Sequence, residues 1–152
     1  MKRILAALIL VGGIGLATKA WADCYTPEEV KATQVRQLQT QLMVAALKCS
    51  HMPEHAASYN SFVRAFGPQI SDSAKVLMGH FKRTSGKDSQ RSFDRFITQI
   101  ANDASSLSIN TPDYCETVSQ TFQAVQGLRG PELASYAATQ INGHTAVPAR
   151  CN

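Results

Sequence analysis

The chain has 152 residues, with 15 Lys and Arg against 11 Asp and Glu, so it is mildly basic as written. Three of the cations, Lys2, Arg3 and Lys19, fall between Met1 and Ala22, a segment that holds no acid. Without that segment the balance is 12 against 11, which excludes nucleic-acid binding by bulk charge, since phosphate affinity comes from many Lys and Arg contacts.

Residues 1–22 read as a secretory signal. Lys2 and Arg3 make a basic start, Ile4 to Ala17 is a continuous run of apolar residues and glycine, and Ala20-Trp21-Ala22 offers a cleavage site. That run is about 14 residues long, short of the ~20 that span a bilayer, so a retained anchor is the lesser reading and no membrane span remains after cleavage. Asp23 beside Cys24 does not resemble a lipoprotein signal. The glycines of "VGGIG" lie inside the export signal and lack the spacing of a nucleotide loop. Cleavage leaves residues 23–152, a single helical domain long enough to enclose a hydrophobic core. The expected location is periplasmic or secreted.

Thr26-Pro27-Glu28-Glu29 starts the first helix: Thr26 caps, Pro27 takes the first helical position and Glu29 completes a capping box. Val35, Leu38, Leu42, Ala45 and Cys49 follow at spacings of 3, 4, 3 and 4, which is helical periodicity. The segment "LMVAAL" is apolar all round and predicts deep burial. The second helix starts at Pro53 and carries Tyr59, Val63, Phe66, Ile70, Ala74, Leu77 and Phe81. Its stripe passes through Gly67-Pro68 in phase, which predicts one long helix kinked or briefly broken there. Gly86 suits a left-handed cap at its end. The third helix, capped by Asp88, presents Phe93, Phe96, Ile97, Ile100, Ala104 and Leu107. Thr111 and Pro112 are the expected cap and first residue of the fourth, which carries Cys115, Val118, Phe122 and Val125. A short fifth helix runs from Pro131 to Ile141, and an irregular tail follows from about residue 142. The fold class is therefore all-α, a mostly antiparallel bundle of four to five helices.

Four cysteines in an exported chain read as two disulfides. Their separations along the chain, 25, 66 and 36, lack the paired C-x-x-C spacing of a zinc site. The first helix is roughly 35 Å long at 1.5 Å per residue, so Cys24 and Cys49 lie at opposite ends and cannot pair. Antiparallel winding returns the start of the fourth helix to the end of the first, which predicts Cys49–Cys115 and leaves Cys24 for Cys151. The alternative, Cys24–Cys115 with Cys49–Cys151, requires a different winding order.

"CSHMPEH" puts His51, Met52 and His55 beside Cys49, a ligand set that suits a soft metal such as copper. Cys49 is expected in a disulfide, and Pro53 disfavours the helical arrangement that would aim both imidazoles at one ion, so a hinge between helices is the preferred reading. Lys82, Arg83, Lys87, Arg91 and Arg95 gather around one turn and form a candidate surface for an anionic envelope component or an envelope protein. Charges placed to suit helix ends explain the same residues. "TSGK" lacks the spacing and the strand context of a phosphate loop. His80 has no partner evident in sequence, and no catalytic or haem-attachment motif is present, so no catalytic residue and no cofactor are assigned.

Across roughly residues 24–125, the segments "ATQVRQLQTQLMVAALKC", "YNSFVRAFGP", "HFKR", "FDRFITQIANDAS" and "YC" resemble a group of small exported helical proteins of alphaproteobacteria that have no assigned function. The resemblance implies a periplasmic helical protein and brings no catalytic residues with it. The resulting expectation is a non-enzymatic envelope or protein-interaction module. Soft-metal binding through His51, Met52 and His55 is the first alternative, and an enzyme with an unrecognised active site is the second.

Overall fold

The structure is a computed structural model and describes residues 24–141 and 149–151. The segment read as a signal, residues 1–22, lies outside the described residues, as do residues 142–148 of the tail.

Helix α1 (Pro27–Lys48) is the post around which the others are arranged. Its capping box forms as the sequence predicts. The Thr26 hydroxyl accepts from the Glu29 N–H at 3.2 Å, and the Glu29 carboxylate accepts from the Thr26 N–H at 2.9 Å. Helices α2 (Pro53–Ala65), α3 (Gly67–Ser85), α4 (Ser89–Asn110), α5 (Tyr114–Gln126) and α6 (Leu133–Ile141) all pack on it. The core is built from Val35, Leu38, Leu42, Ala45 and Cys49 of α1, with Phe62 and Phe66, Val118, Phe122 and Val125, and Leu133 and Ala137 facing them. A second apolar contact joins α3 to α4, where the Phe81 ring lies 5.4 Å from Phe96 and 6.0 Å from Phe93.

The all-α bundle and both disulfides stand as predicted from sequence. Cys49–Cys115 has a Cα separation of 5.7 Å and Cys24–Cys151 one of 5.0 Å, and together they account for all four cysteines. The short segment after the undescribed tail is pinned as well. Tyr25 N–H donates to the Ala149 carbonyl at 2.9 Å, Cys151 N–H donates to the Tyr25 carbonyl at 3.0 Å, and Tyr25 and Arg150 form an isolated parallel bridge.

The helix expected from Pro53 onward is briefly broken at Phe66, as its sequence predicts, and four other local expectations need correction. Pro68 has no N–H to give the Arg64 carbonyl and its ring crowds that turn, so the ladder is interrupted while Phe66 N–H still reaches Phe62 and Ile70 N–H still reaches Phe66. The core stripe therefore stays in phase while the helix axis is interrupted. Gly86 has φ 55° and ψ −119°, a positive φ outside the left-handed helical region, and it opens a single 3-10 turn, Gly86–Asp88. Thr111 ends α4 in an extended conformation (φ −95°, ψ 118°), as expected for a residue before proline, so α5 begins only at Tyr114, after Asp113 in the left-handed region. Pro131 sits in a 3-10 turn, Gly130–Glu132, and α6 starts at Leu133.

The fourth correction concerns "LMVAAL". Leu42 and Ala45 are buried, but Leu47 is 73% exposed. The N-terminal half of α1 instead buries the polar residues Glu29, Thr33, Gln34 and Gln37. Glu28, Lys31 and Lys48 occupy the exposed side of this helix, while these four polar residues lie on its inward sides.

Each bridge closes a long loop, with separations of 66 and 127 residues. Replacing Cys49 and Cys115 together by serine is expected to lower the unfolding free energy by roughly 2–5 kcal/mol. Urea denaturation of the variant beside the oxidised parent measures this directly.

Candidate functional site

Two buried imidazoles lie in the bundle, each beside a disulfide. Near Cys24–Cys151, α1 supplies Glu29 and α3 supplies His80 and Arg83, one turn apart on a single helix face. Glu29 is 5% exposed and His80 3%. One Glu29 oxygen receives a guanidinium N–H of Arg83 at 2.6 Å. The other receives a second Arg83 N–H at 3.0 Å, lies 3.2 Å from His80 Nδ1, and takes the Thr26 N–H. Arg83 also donates to the Cys24 carbonyl at 3.2 Å, which links the cluster to the disulfide. The Tyr25 ring stacks on the His80 ring at 3.8 Å, and Phe81 meets it edge-on at 5.1 Å.

The electrostatics follow from that geometry. Burial pushes the Glu29 carboxyl upward, but the Arg83 guanidinium, the Thr26 N–H and His80 together outweigh it and hold the group down at about 2. Burial, with the Glu29 charge behind it, raises the Tyr25 phenol. The cluster is a carboxylate fixed by a bidentate guanidinium and sealed by rings, an arrangement that anchors the start of α1 to the end of α3.

Near Cys49–Cys115, His55 of α2 is 1% exposed and its Nε2 lies 2.7 Å from the Ser119 hydroxyl of α5. Ser119 gives its own proton to the Cys115 carbonyl at 2.9 Å, so the imidazole Nε2–H donates to the serine oxygen. A serine nucleophile with its base has the opposite polarity, the hydroxyl donating to the ring. His55 packs against the Phe122 ring at 5.1 Å, and its Nδ1 has no hydrogen-bond partner among the described residues.

The sequence-predicted site residues divide accordingly. His51 is exposed on the turn after α1, Met52 is half-buried, and His55 faces inward on Ser119, so the three do not converge as they stand. Among the described residues, no group of three or more His, Cys, Asp or Glu side chains is placed to hold a metal ion. Lys82, Lys87, Arg91 and Arg95 are exposed around the α3–α4 turn, with Arg91 3.9 Å from Asp88. Arg83 differs from these four because Glu29 holds it. Sequence alone shows Glu29 only as part of a capping box, and does not reveal what His80 meets. Their meeting depends on the side-by-side register of α1 and α3, which spacing along one chain does not reveal.

No helix among the described residues is long and apolar enough to cross a membrane. In comparisons with family models, curated proteins and solved structures, nothing matches the chain.

A carboxyl held at about 2 when folded, against an ordinary 4.5, contributes stability that is complete above pH 4.5 and is lost as pH falls toward 2. Glu29→Gln should cost about 2 kcal/mol at pH 7, as expected for hydrogen bonds to a charged group. It should also flatten the decline in stability between those two pH values. Urea midpoints of both proteins from pH 7 to pH 2 check the cost and the slope.

Proposed function

We propose that this chain is exported through residues 1–22 and works outside the cytosol as a binding module rather than an enzyme, its partner being an acidic component of the envelope. Two disulfides fit an oxidising compartment such as the periplasm. The observation that carries the binding reading is the segregation of charge at the α3–α4 turn.

Residues 23–152 hold 12 Lys and Arg and 11 Asp and Glu. Five of the cations but only two of the acids, Asp88 and Asp94, fall within residues 82–95, so the rest of that chain is net acidic. Lys87, Arg91 and Arg95 recur at every fourth position along the 3-10 turn and the first turns of α4, and Lys82 ends α3 across the turn. Among the described residues, nothing strong neutralises these four. Arg91 and Asp88 are both exposed and 3.9 Å apart, a geometry worth little in water, and among the described residues Asp94 forms no ion pair with any of these cations. Meanwhile Glu29 ties Arg83, and with it the end of α3, to the central helix. The basic turn is thereby presented from a fixed base, which suits it to an anionic surface.

Co-sedimentation with phosphatidylglycerol vesicles, with phosphatidylcholine vesicles as control, tests the reading, together with capture of periplasmic proteins on the immobilised mature chain. The mature protein should bind the anionic probe or an acidic protein, less so as salt rises. Lys87→Glu/Arg91→Glu/Arg95→Glu should weaken that binding at least tenfold, given about 1 kcal/mol per cation near an anionic surface. Binding of the same strength by the charge-reversed protein, to vesicles and captured proteins alike, would end this reading.

A further inference from the structure

A pocket of about 110 Å³ opens between α1, α4, α5 and α6, away from the basic turn and from both buried imidazoles. Its walls change character with depth. Leu42, which exposes nothing to solvent, and the buried Val118 form its inner part, whereas Tyr114, the exposed Thr117 and Gln140 bring hydroxyl and amide groups toward the outside. Among the described residues, no Lys, Arg, His, Asp or Glu lines it.

Two polar groups of the wall have hydrogen-bonding capacity left over. The Gln41 side-chain amide nitrogen is buried with no partner among the described residues, which is uncommon for a buried donor. The Tyr114 hydroxyl reaches the Gln41 carbonyl at 3.4 Å, long for an O–H donor.

We infer that this pocket binds a small uncharged amphiphile, one ring or a short alkyl chain carrying a single hydroxyl. The size follows from the volume, since a dry apolar cavity of comparable dimensions accepts benzene. An apolar body is matched by the leucine and valine side chains, and a hydroxyl oxygen is matched by the unpartnered Gln41 amide N–H and the Tyr114 hydroxyl. A carboxylate or an ammonium of the same size would be desolvated with no counter-charge, so charged analogues are rejected. This inference does not depend on the role of the basic turn.

Titration of the ¹⁵N-labelled mature protein with p-cresol, followed by amide shifts, tests it. Saturable shifts at millimolar ligand or below are expected around residues 38–42 and 114–121, and benzoate at neutral pH should bind at least tenfold more weakly. Thr117→Trp, made at an exposed position, should narrow the mouth and weaken p-cresol at least fivefold. Tyr114→Phe keeps the shape of the wall and should weaken p-cresol while leaving toluene unchanged. Lys87→Glu/Arg91→Glu/Arg95→Glu should leave p-cresol binding as it was, which separates this site from the proposed anion surface. Absence of saturable p-cresol shifts, benzoate binding of equal strength, or unaltered p-cresol affinity in both pocket variants would overturn the inference.

Discussion

A charge turned inward from a helix must be met by other charges and donors, and α1 turns Glu29 inward while Glu28, Lys31 and Lys48 stay in solvent. Its N-terminal half buries Glu29, Thr33, Gln34 and Gln37. Thr33 satisfies its hydroxyl on the Glu29 carbonyl at 2.9 Å, within the helix. Glu29 cannot be satisfied so locally, because a buried carboxylate needs several donors to offset the loss of water. Those donors come from α3 and from the capping residue, and the shared guanidinium reaches on to the backbone at Cys24. The requirements of one carboxylate therefore set where the end of α3 must lie, and so where the turn to α4 emerges.

The two ends of the bundle repeat this scheme with different chemistry. At one end a disulfide, a charged pair and stacked rings close around His80. At the other a disulfide, a hydrogen bond to a hydroxyl and an aromatic contact close around His55. In both cases the crosslink holds the backbone and the imidazole fills a polar gap beside it. The first end responds to acid through Glu29, whereas the second offers the imidazole one hydrogen bond and, among the described residues, none for Nδ1. Both imidazoles are thus integral to packing, and the most open chemistry of the surface falls to the cations at residues 82–95.

Much of the architecture was legible in the residues themselves. The 3-4-3-4 spacing from Val35 to Cys49 marked the core stripe of α1, and helix length with antiparallel winding was sufficient to pair Cys49 with Cys115 and Cys24 with Cys151. Proline chemistry was legible in kind but not in position. Pro68 interrupts the helix as expected, while Pro112 acts on the residue before it, turning Thr111 into the end of α4 rather than the start of α5. The apolar run "LMVAAL" misled because burial depends on which neighbours reach that level of the bundle, and there Leu47 and Ile109 of α4 remain open, at 73% and 70%. Contacts between residues far apart in the chain, such as Glu29 with His80 and Arg83 or His55 with Ser119, were not legible, since local periodicity has no information about which turns of two helices lie side by side.

The placement of the crosslinks also decides how the molecule tolerates a broken backbone. Cys24 and Cys49 lie before the Gly86–Asp88 turn, and Cys115 and Cys151 lie after it, so both bridges span that turn. A protease that nicks the exposed lysines and arginines there would release neither fragment, because two covalent links still join the halves. The same holds for a nick anywhere between Cys49 and Cys115, since both bridges span that whole stretch.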